Sequence, residues 1–413
     1  MYERQVGSSP LNKRISIIHF FKIVEERKYK MSLNKKIRIL QCIRQGQIGG
    51  GESHLLSLVE NMDKTIFEPI VLSFTDGPMI AKLQDVGITT HIIHTEKPFD
   101  FFKWKAVKQL LIEQNIDLIH AHGTRANSNI MWAAKKLMLP IIYSIHGWSF
   151  HNDQKLLVKN IRIYSEKILT SKSDINISVS QSNKQTGIDQ ISGFKSVVVN
   201  NGIDQVKFNP NANFKDVRKE LKVDEKVLLL LFIARFTAHK QPLSLIKAFA
   251  LALKKIPDIK LLMVGEGDQK KEALQLAKDL KIEANIIFQS FRQDVPDVLA
   301  AADIFILPSL WEGLPIGLLE AMSMGKSVIA TNVDGTSEIL KNHHNGILIE
   351  LSNLNEDLAE AIVLLSTDKG LREKFKINAI ETVRNRFNAL TMTKQIETIY
   401  RELLTKKKKI NGI

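Results

Sequence analysis

One cysteine, Cys42, stands among 413 residues. A disulfide within the chain is excluded, and so is a zinc cluster built on several thiolates. Cys42 lies in an apolar stretch and is expected as a small core residue rather than a nucleophile. Aromatic residues make up only 7% of the chain and no nucleic-acid module is visible, so no nucleic-acid partner is expected. Long apolar runs are absent as well. None approaches the roughly 18 to 20 residues of a membrane span, and the amino end lacks the apolar core of a secretory signal, which suggests a cytoplasmic protein. The glycines after the first strand lack the spacing of a dinucleotide fingerprint, which weakens a dehydrogenase reading. There is no internal repeat, and no low-complexity segment beyond the lysines at 406–409.

What is present is ordinary globular composition, 44% hydrophobic and 25% charged, over a length sufficient for two domains with substantial cores. The net charge is +14 and is concentrated at the amino end, where residues 1–50 carry 11 Lys and Arg against 3 acids. An anionic membrane surface is a possible partner for such a charge; a generic solubility charge is the bland alternative. Residues 1–32 read as an extension outside the main fold. Within it, the apolar run Ile15 to Phe21 is flanked by bases and could lie on a membrane face, while Met31 is an alternative start.

From Lys36 onward, short apolar runs alternate with helical stretches, the pattern of a doubly wound parallel sheet. Ile37 to Ile43 reads as a strand, Gly46 to Gly51 as a loop, and Glu52 to Met62 as a helix. Later strands end at His122 and at His146, so both histidines stand at the ligand-facing edge. The pair raises the question of a metal, but no acid follows at ligand spacing, so hydrogen bonding is preferred and no metal site is assigned. An almost unbroken apolar strand, Lys226 to Ala234, opens a second unit and ends in Arg235-Phe-Thr-Ala-His-Lys240. An Arg and a Lys five apart can converge on one diphosphate, the Arg as a planar fork and the Lys as a point charge. The strand Asp303 to Pro308 precedes a polar loop, a helix closed by Gly325, and the strand Ser327 to Ala330. Glu312 in that loop and Glu320 in the helix return to nearly the same side, and carboxylates can accept hydrogen bonds from vicinal hydroxyls.

Glu312 and Glu320, within Ser-x-x-Glu-Gly-Leu-Pro-x-Gly-Leu-Leu-Glu-Ala-Met, resemble the E-x7-E signature of the retaining glycosyltransferases of family 4. The resemblance implies the GT-B fold: two Rossmann-like domains facing a central cleft, with a nucleotide diphosphate sugar as donor, a saccharide or lipid-linked acceptor and no metal. It places Glu312 on sugar hydroxyls, Glu320 on the ribose and His146 near the reacting centre, and it implies that Arg235 and Lys240 hold the diphosphate. Ala234 and Gln241 stand where the family has glycines in that loop. Donor contacts are further implied at Gly49, Gly50, Gly265, Arg292, Gly313, Leu314, Pro315 and Ile316, and acceptor contacts at His122 and Arg125. Asp334 replaces a family glycine near Glu338. Asn201-Gly-Ile-Asp204 with Phe208 resembles the segment that leaves the first domain. The expected division is therefore 1–32, 33–205, 206–385, and a helix 386–413 crossing back to the first domain with a basic tail. The implied role is a cytoplasmic enzyme, peripheral on the inner membrane face, in cell-envelope or exopolysaccharide synthesis. A sugar-nucleotide epimerase of related fold, or an idle sugar-nucleotide-binding module, is the alternative.

Overall fold

The computed structural model describes residues 35–410 apart from Ile48 and Asn152. The expected extension 1–32, with its apolar run and the alternative start, lies outside the described residues. Among the described residues no helix is long and apolar enough to cross a membrane.

Two parallel sheets form, each covered by helices. The first contains β1 (Ile37–Ile43), β2 (Phe67–Ser73), β3 (Thr89–Ile92), β4 (Leu118–His122), β5 (Ile141–Ile145), β6 (Ile175–Ser178) and β7 (Val197–Val198), in spatial order β3-β2-β1-β4-β5-β6-β7. The second contains β8 (Leu228–Ile233), β9 (Ile259–Val264), β10 (Ile286–Gln289), β11 (Ile304–Leu307), β12 (Ser327–Thr331) and β13 (Ile347–Ile349), in order β10-β9-β8-β11-β12-β13. Parallel strands buried on both faces need near-continuous apolar sequence, and β11 and β12 are buried at every position. Cys42 is fully buried in β1.

This topology decides where ligands can go. In each sheet the winding direction reverses once, between β1 and β4 in the first and between β8 and β11 in the second. The crevice outside the strand ends at such a reversal is open to ligands. The loops after β1, β8 and β11 carry Gly49, Arg235 and Glu312 respectively, and Arg125 stands in the helix Thr124–Lys136 that follows β4.

The chain crosses between the two units twice. Ile203 bridges Asn388, and a Cβ on Gly202 would lie 2.6 Å from the Ala389 backbone, so the two crossings are packed against each other. The last helix, Ala389–Ile410, leaves the second unit and buries Met392, Ile396, Tyr400 and Leu403 among Ile39, Leu58 and Leu118 of the first. Lys407 near its end pairs with Asp174 at 2.8 Å, so this part of the basic tail is held on the protein.

Candidate active site

The acidic and basic groups arrive on the second sheet's strand ends. Arg235 follows β8, and Lys240 closes a 3-10 turn, Ala238–Lys240, before the helix Pro242–Leu253. Gln241 between them has φ 55°, the left-handed region that glycine fills most easily, and its side-chain Nε2 donates to Ala238 O at 2.7 Å. Beyond β11, the loop to Pro315 carries Glu312, whose carboxylate accepts from Lys240 Nζ. Both side chains are largely buried, 17% and 10% exposed. Asp334, with φ 35°, accepts the Glu312 backbone N–H at 3.1 Å; the acid thus fills the glycine-like turn and ties it to the loop. Burial raises the Asp334 carboxyl, with neighbouring Glu312 adding to the rise. Glu320 stands on the helix Ile316–Ser323, where burial lifts its carboxyl to about 7 and Lys207 is the one opposing charge.

The glycines of the turn after β9 are needed for close approach. A Cβ at Gly265 (φ 144°) would lie 2.0 Å from Ala234 O, so this turn packs backbone to backbone on the Arg235 loop. Arg292, on the exit from β10, is spent elsewhere. Its guanidinium is held by Glu220 at 2.5 and 3.0 Å and by Asp294 at 2.9 and 2.6 Å, so any contact with a donor there would come from the loop backbone.

The first domain supplies the opposite wall. Sequence reading put Gly49, Gly50 and Gly51 together in the loop, but the helix begins at Gly50 with Gly49 as its N-cap. Gly50 and Gly51 occupy the first turn, whose N–H groups have no partner within the helix and favour anions. A Cβ at Gly51 would rest 3.6 Å from the His146 ring. Arg125 lies in the first turn of the helix Thr124–Lys136, within the fields of Arg44 and Glu96.

His122 and His146 meet directly, Nδ1 to Nε2 at 3.0 Å. A third histidine, unforeseen from sequence, joins them: His54, from the helix Gly50–Asn61. One ring nitrogen from each of the three lies within 4.8 Å of the others, the one grouping of metal-ligand type among the described residues. At 3.0 Å the His122 and His146 nitrogens are within hydrogen-bond distance, one ring donating and the other accepting. Burial keeps all three neutral, with His54 down at about 4 and the other two well below the ordinary histidine range. His54 is four residues before buried Leu58 on the same helix face. A polar residue in that apolar stripe is the signal that could have found it.

The two walls touch. A Cβ at Gly313 would lie 2.0 Å from His146 O. Gly313 O accepts from Ser180 Oγ at 2.8 Å, and Leu314 O accepts from Asn201 Nδ2 at 2.8 Å. Glu338 accepts the backbone N–H groups of Gln181 and Ser182 at 3.0 and 2.6 Å, capping a first-domain helix from across the cleft. Trp311 is sandwiched between His151 of the first domain, ring centroids 3.6 Å apart, and His239 of the second, 4.2 Å apart. A pocket beside this stack is lined by Trp148, His151, Lys159, Trp311, Glu312 and Asp334. The structure therefore gathers Arg235, Lys240, Glu312, Gly313 and His146 about one cleft.

Comparison with known proteins points the same way. Residues 213–382 match the family model "Glycosyl transferases group 1", and residues 48–207 match "Glycosyltransferase Family 4". The chain is 28% identical over 391 residues to the Escherichia coli UDP-Gal:alpha-D-GlcNAc-diphosphoundecaprenol alpha-1,3-galactosyltransferase, covering 91% of this chain and 100% of that protein. It is 27% identical over 326 residues to the Bacillus anthracis N-acetyl-alpha-D-glucosaminyl L-malate synthase, covering 78% and 84% of the two chains. Among solved structures, Anabaena HepE in complex with UDP and glucose superposes with TM-score 0.78 at 23% identity, covering 89% of this chain and 100% of that one.

Proposed function

Because the chain belongs to the family 4 and group 1 glycosyltransferases of GT-B fold, we propose that it transfers a hexosyl or N-acetylhexosaminyl unit, with retention, from a nucleotide diphosphate sugar to a saccharide or lipid-linked acceptor. Cell-envelope or exopolysaccharide synthesis is the setting that the relatives favour, the E. coli galactosyltransferase above all. The observation that carries the reading is the meeting of the Lys240–Glu312 pair, Arg235 and the His146–Gly313 contact in one cleft formed by both domains.

The chemistry follows from where charge develops. Breaking the bond between the anomeric carbon and the diphosphate oxygen leaves positive charge on the sugar and negative charge on the departing diphosphate. Arg235 and Lys240 neutralise the latter, aided by the open N–H groups of the Gly50–Asn61 helix. Glu312, released in part from Lys240 by the phosphate, binds sugar hydroxyls, and Glu320, poised near neutrality by burial, binds the ribose. The acceptor hydroxyl attacks from the face the diphosphate leaves, its oxygen forms the new bond to the anomeric carbon, and its proton passes to a phosphate oxygen. No step calls for a metal, and turnover is expected to persist in a chelator. The testing experiment incubates the protein with a panel of nucleotide sugars and a lipid-linked saccharide, and follows product stereochemistry by NMR. One donor should be consumed with its anomeric configuration kept. Inversion, or sugar-nucleotide turnover that needs no acceptor and releases an epimer, would sink the reading.

A lipid-linked acceptor is supported by the first domain's surface. The helix Leu156–Lys172 exposes Leu156, Leu157, Ile161 and Tyr164 at 58 to 73%, while Phe101 and Phe102 are 62% and 83% exposed. Phe99 and Ile163 pack on one buried cluster and so join the two segments. Lys155, Arg162, Lys167 and Lys172 are exposed on or beside that helix, and its one acid, Glu166, is turned inward to Thr124, Tyr143 and Ser149. An apolar strip edged with bases suits an anionic bilayer. The protein should sediment with phosphatidylglycerol vesicles and not with phosphatidylcholine, and Leu157→Ser with Ile161→Ser should weaken this by about tenfold or more. Binding indifferent to either change would remove the membrane from the proposal.

A further inference from the structure

Gln41 is a fully buried amide in the middle of β1, between apolar Leu40 and Cys42. Both ends of it are used. Nε2 donates to the Tyr400 hydroxyl at 2.9 Å, and Oε1 faces His122 Nε2 at 2.9 Å. Tyr400 stands on the last helix, so the amide is anchored by the segment that crosses from the second domain. The Tyr400 hydroxyl then donates to His120 Nδ1 at 2.6 Å, and His120 Nε2 donates to Ser144 Oγ at 2.8 Å.

An amide is a fixed polarity: its nitrogen only donates and its oxygen only accepts. That polarity runs down the chain of rings. Because Gln41 Oε1 accepts, His122 carries its proton on Nε2. A neutral imidazole holds one ring proton, so His122 Nδ1 is bare and must accept in the 3.0 Å contact with His146. His146 Nε2 therefore carries the proton, and His146 Nδ1 is left bare. That atom is buried and has no hydrogen-bond partner among the described residues. A buried acceptor without a partner is costly and calls for one. His54 reaches the same condition from the other side. Asn201 Nδ2 is tied to Leu314 O, so its Oδ1 receives His54 Nδ1–H at 2.9 Å, and His54 Nε2 is bare and unpartnered too.

We propose that Gln41 and His122 are positioning residues that hold His146 in the tautomer with its proton on Nε2, leaving Nδ1 as the acceptor for a hydroxyl of the bound sugar. The identity of that hydroxyl rests on the glycosyl-transfer reading; the tautomer does not, and it can be read in the resting protein. Metal ligands are oriented through second-sphere partners in the same way, and loss of such a partner costs about 10- to 100-fold in activity.

The experiment labels histidine with 15N and records two-bond 1H–15N correlations for wild type, Gln41→Met and Gln41→Glu, with His146 assigned by its own replacement. Wild type should show a bare Nδ1 and a protonated Nε2 at His146. In Gln41→Met the pattern should become a mixture of tautomers, with kcat about 10- to 100-fold lower and KM for the nucleotide sugar within about twofold. In Gln41→Glu the carboxylate still accepts from His122 Nε2, so the wild-type pattern and most of kcat should return. The new charge has a second consequence. His54, His120 and His146 surround His122, with Tyr400 beyond Gln41, and at present burial and these rings keep His122 neutral. A carboxylate at position 41 raises the His122 pKa, and the protonated ring would donate from Nδ1 and reverse His146. The acid limb of the kcat profile in Gln41→Glu should therefore move to higher pH than in wild type. A protonated Nδ1 at His146 in wild type overturns the proposal outright, even if Gln41→Met fails to fold. So does a Gln41→Met protein whose His146 pattern is unchanged, because its loss of rate would then be merely structural.

Discussion

Glu312→Ala is expected to lower kcat/KM for sugar transfer by about 10²- to 10³-fold, roughly 3 to 4 kcal/mol of transition-state stabilisation. The size follows from two losses at one position. The carboxylate that would hold sugar hydroxyls disappears, and Lys240, which now donates to it, keeps its charge at a site only 17% exposed. An ammonium left without its partner draws nearby anions more strongly, so the nucleoside diphosphate product should bind as tightly as in wild type or tighter. The stability cost should be about 1 to 3 kcal/mol, below the figure for a fully buried pair because the cleft admits water. Glu312→Gln separates the two effects, since the amide oxygen still accepts from Lys240 while the charge is gone. It should recover most of the stability and only part of the rate. Initial rates on the donor selected from the nucleotide-sugar panel, together with thermal unfolding of the three proteins, check this. A Glu312→Ala rate within threefold of wild type would remove Glu312 from the chemistry.

The strands were legible because burial on both faces of a parallel sheet demands continuous apolar sequence, as in Ile304–Leu307 and Ser327–Thr331. The polar strand ends of the second sheet were legible for a related reason. Arg235, Lys240 and Glu312 each lie within a few residues of a strand end, so local sequence already states where they stand. The histidine cluster was not, because its members meet through partners far along the chain: His54 with Asn201, 147 residues apart, and Gln41 with Tyr400, 359 apart. Arg292 shows what local sequence leaves open. It follows a strand as Arg235 does, but Glu220, 72 residues earlier, is placed by the fold to take its fork. A basic residue after a strand is a candidate until its acids are known, and only the tertiary structure supplies them. A run of glycines reads as loop, yet the helix begins at Gly50, because the first helical turn tolerates glycine; a Cβ at Gly51 would only make ordinary contact with the His146 ring.

Gly313→Ala is expected to cost as much in turnover as Glu312→Ala, by holding the domains apart rather than by removing a functional group. A Cβ there would lie 2.0 Å from His146 O, 2.9 Å from His146 C and 3.3 Å from Val179 Cγ2. The first two obstacles are backbone, which cannot rotate away, so the loop must lift off the first domain. Lifting it stretches the Ser180–Gly313 and Asn201–Leu314 hydrogen bonds and the Glu338 cap on Gln181 and Ser182, all of which cross the cleft. His146 and the sugar held by Glu312 then separate, and a misplacement of about 1 Å can cost about 10² in rate. Arg235, Lys240 and Glu320 all belong to the second domain, so the dissociation constant of the nucleoside diphosphate should change by less than about fivefold. The expected result is thus a kcat at least about 10²-fold lower beside nearly intact nucleotide binding. Gly335→Ala sharpens the test. Its Cβ would lie 1.9 Å from Gly313 O, so it pushes on the same loop from within the second domain. If Gly335→Ala loses nucleotide affinity while Gly313→Ala keeps it, the loop has two separable duties, shaping the donor pocket and seating it against His146. If Gly313→Ala turns over within threefold of wild type, the contact between Gly313 and His146 is not part of the working geometry, and the sugar must be held open to the first domain by other means.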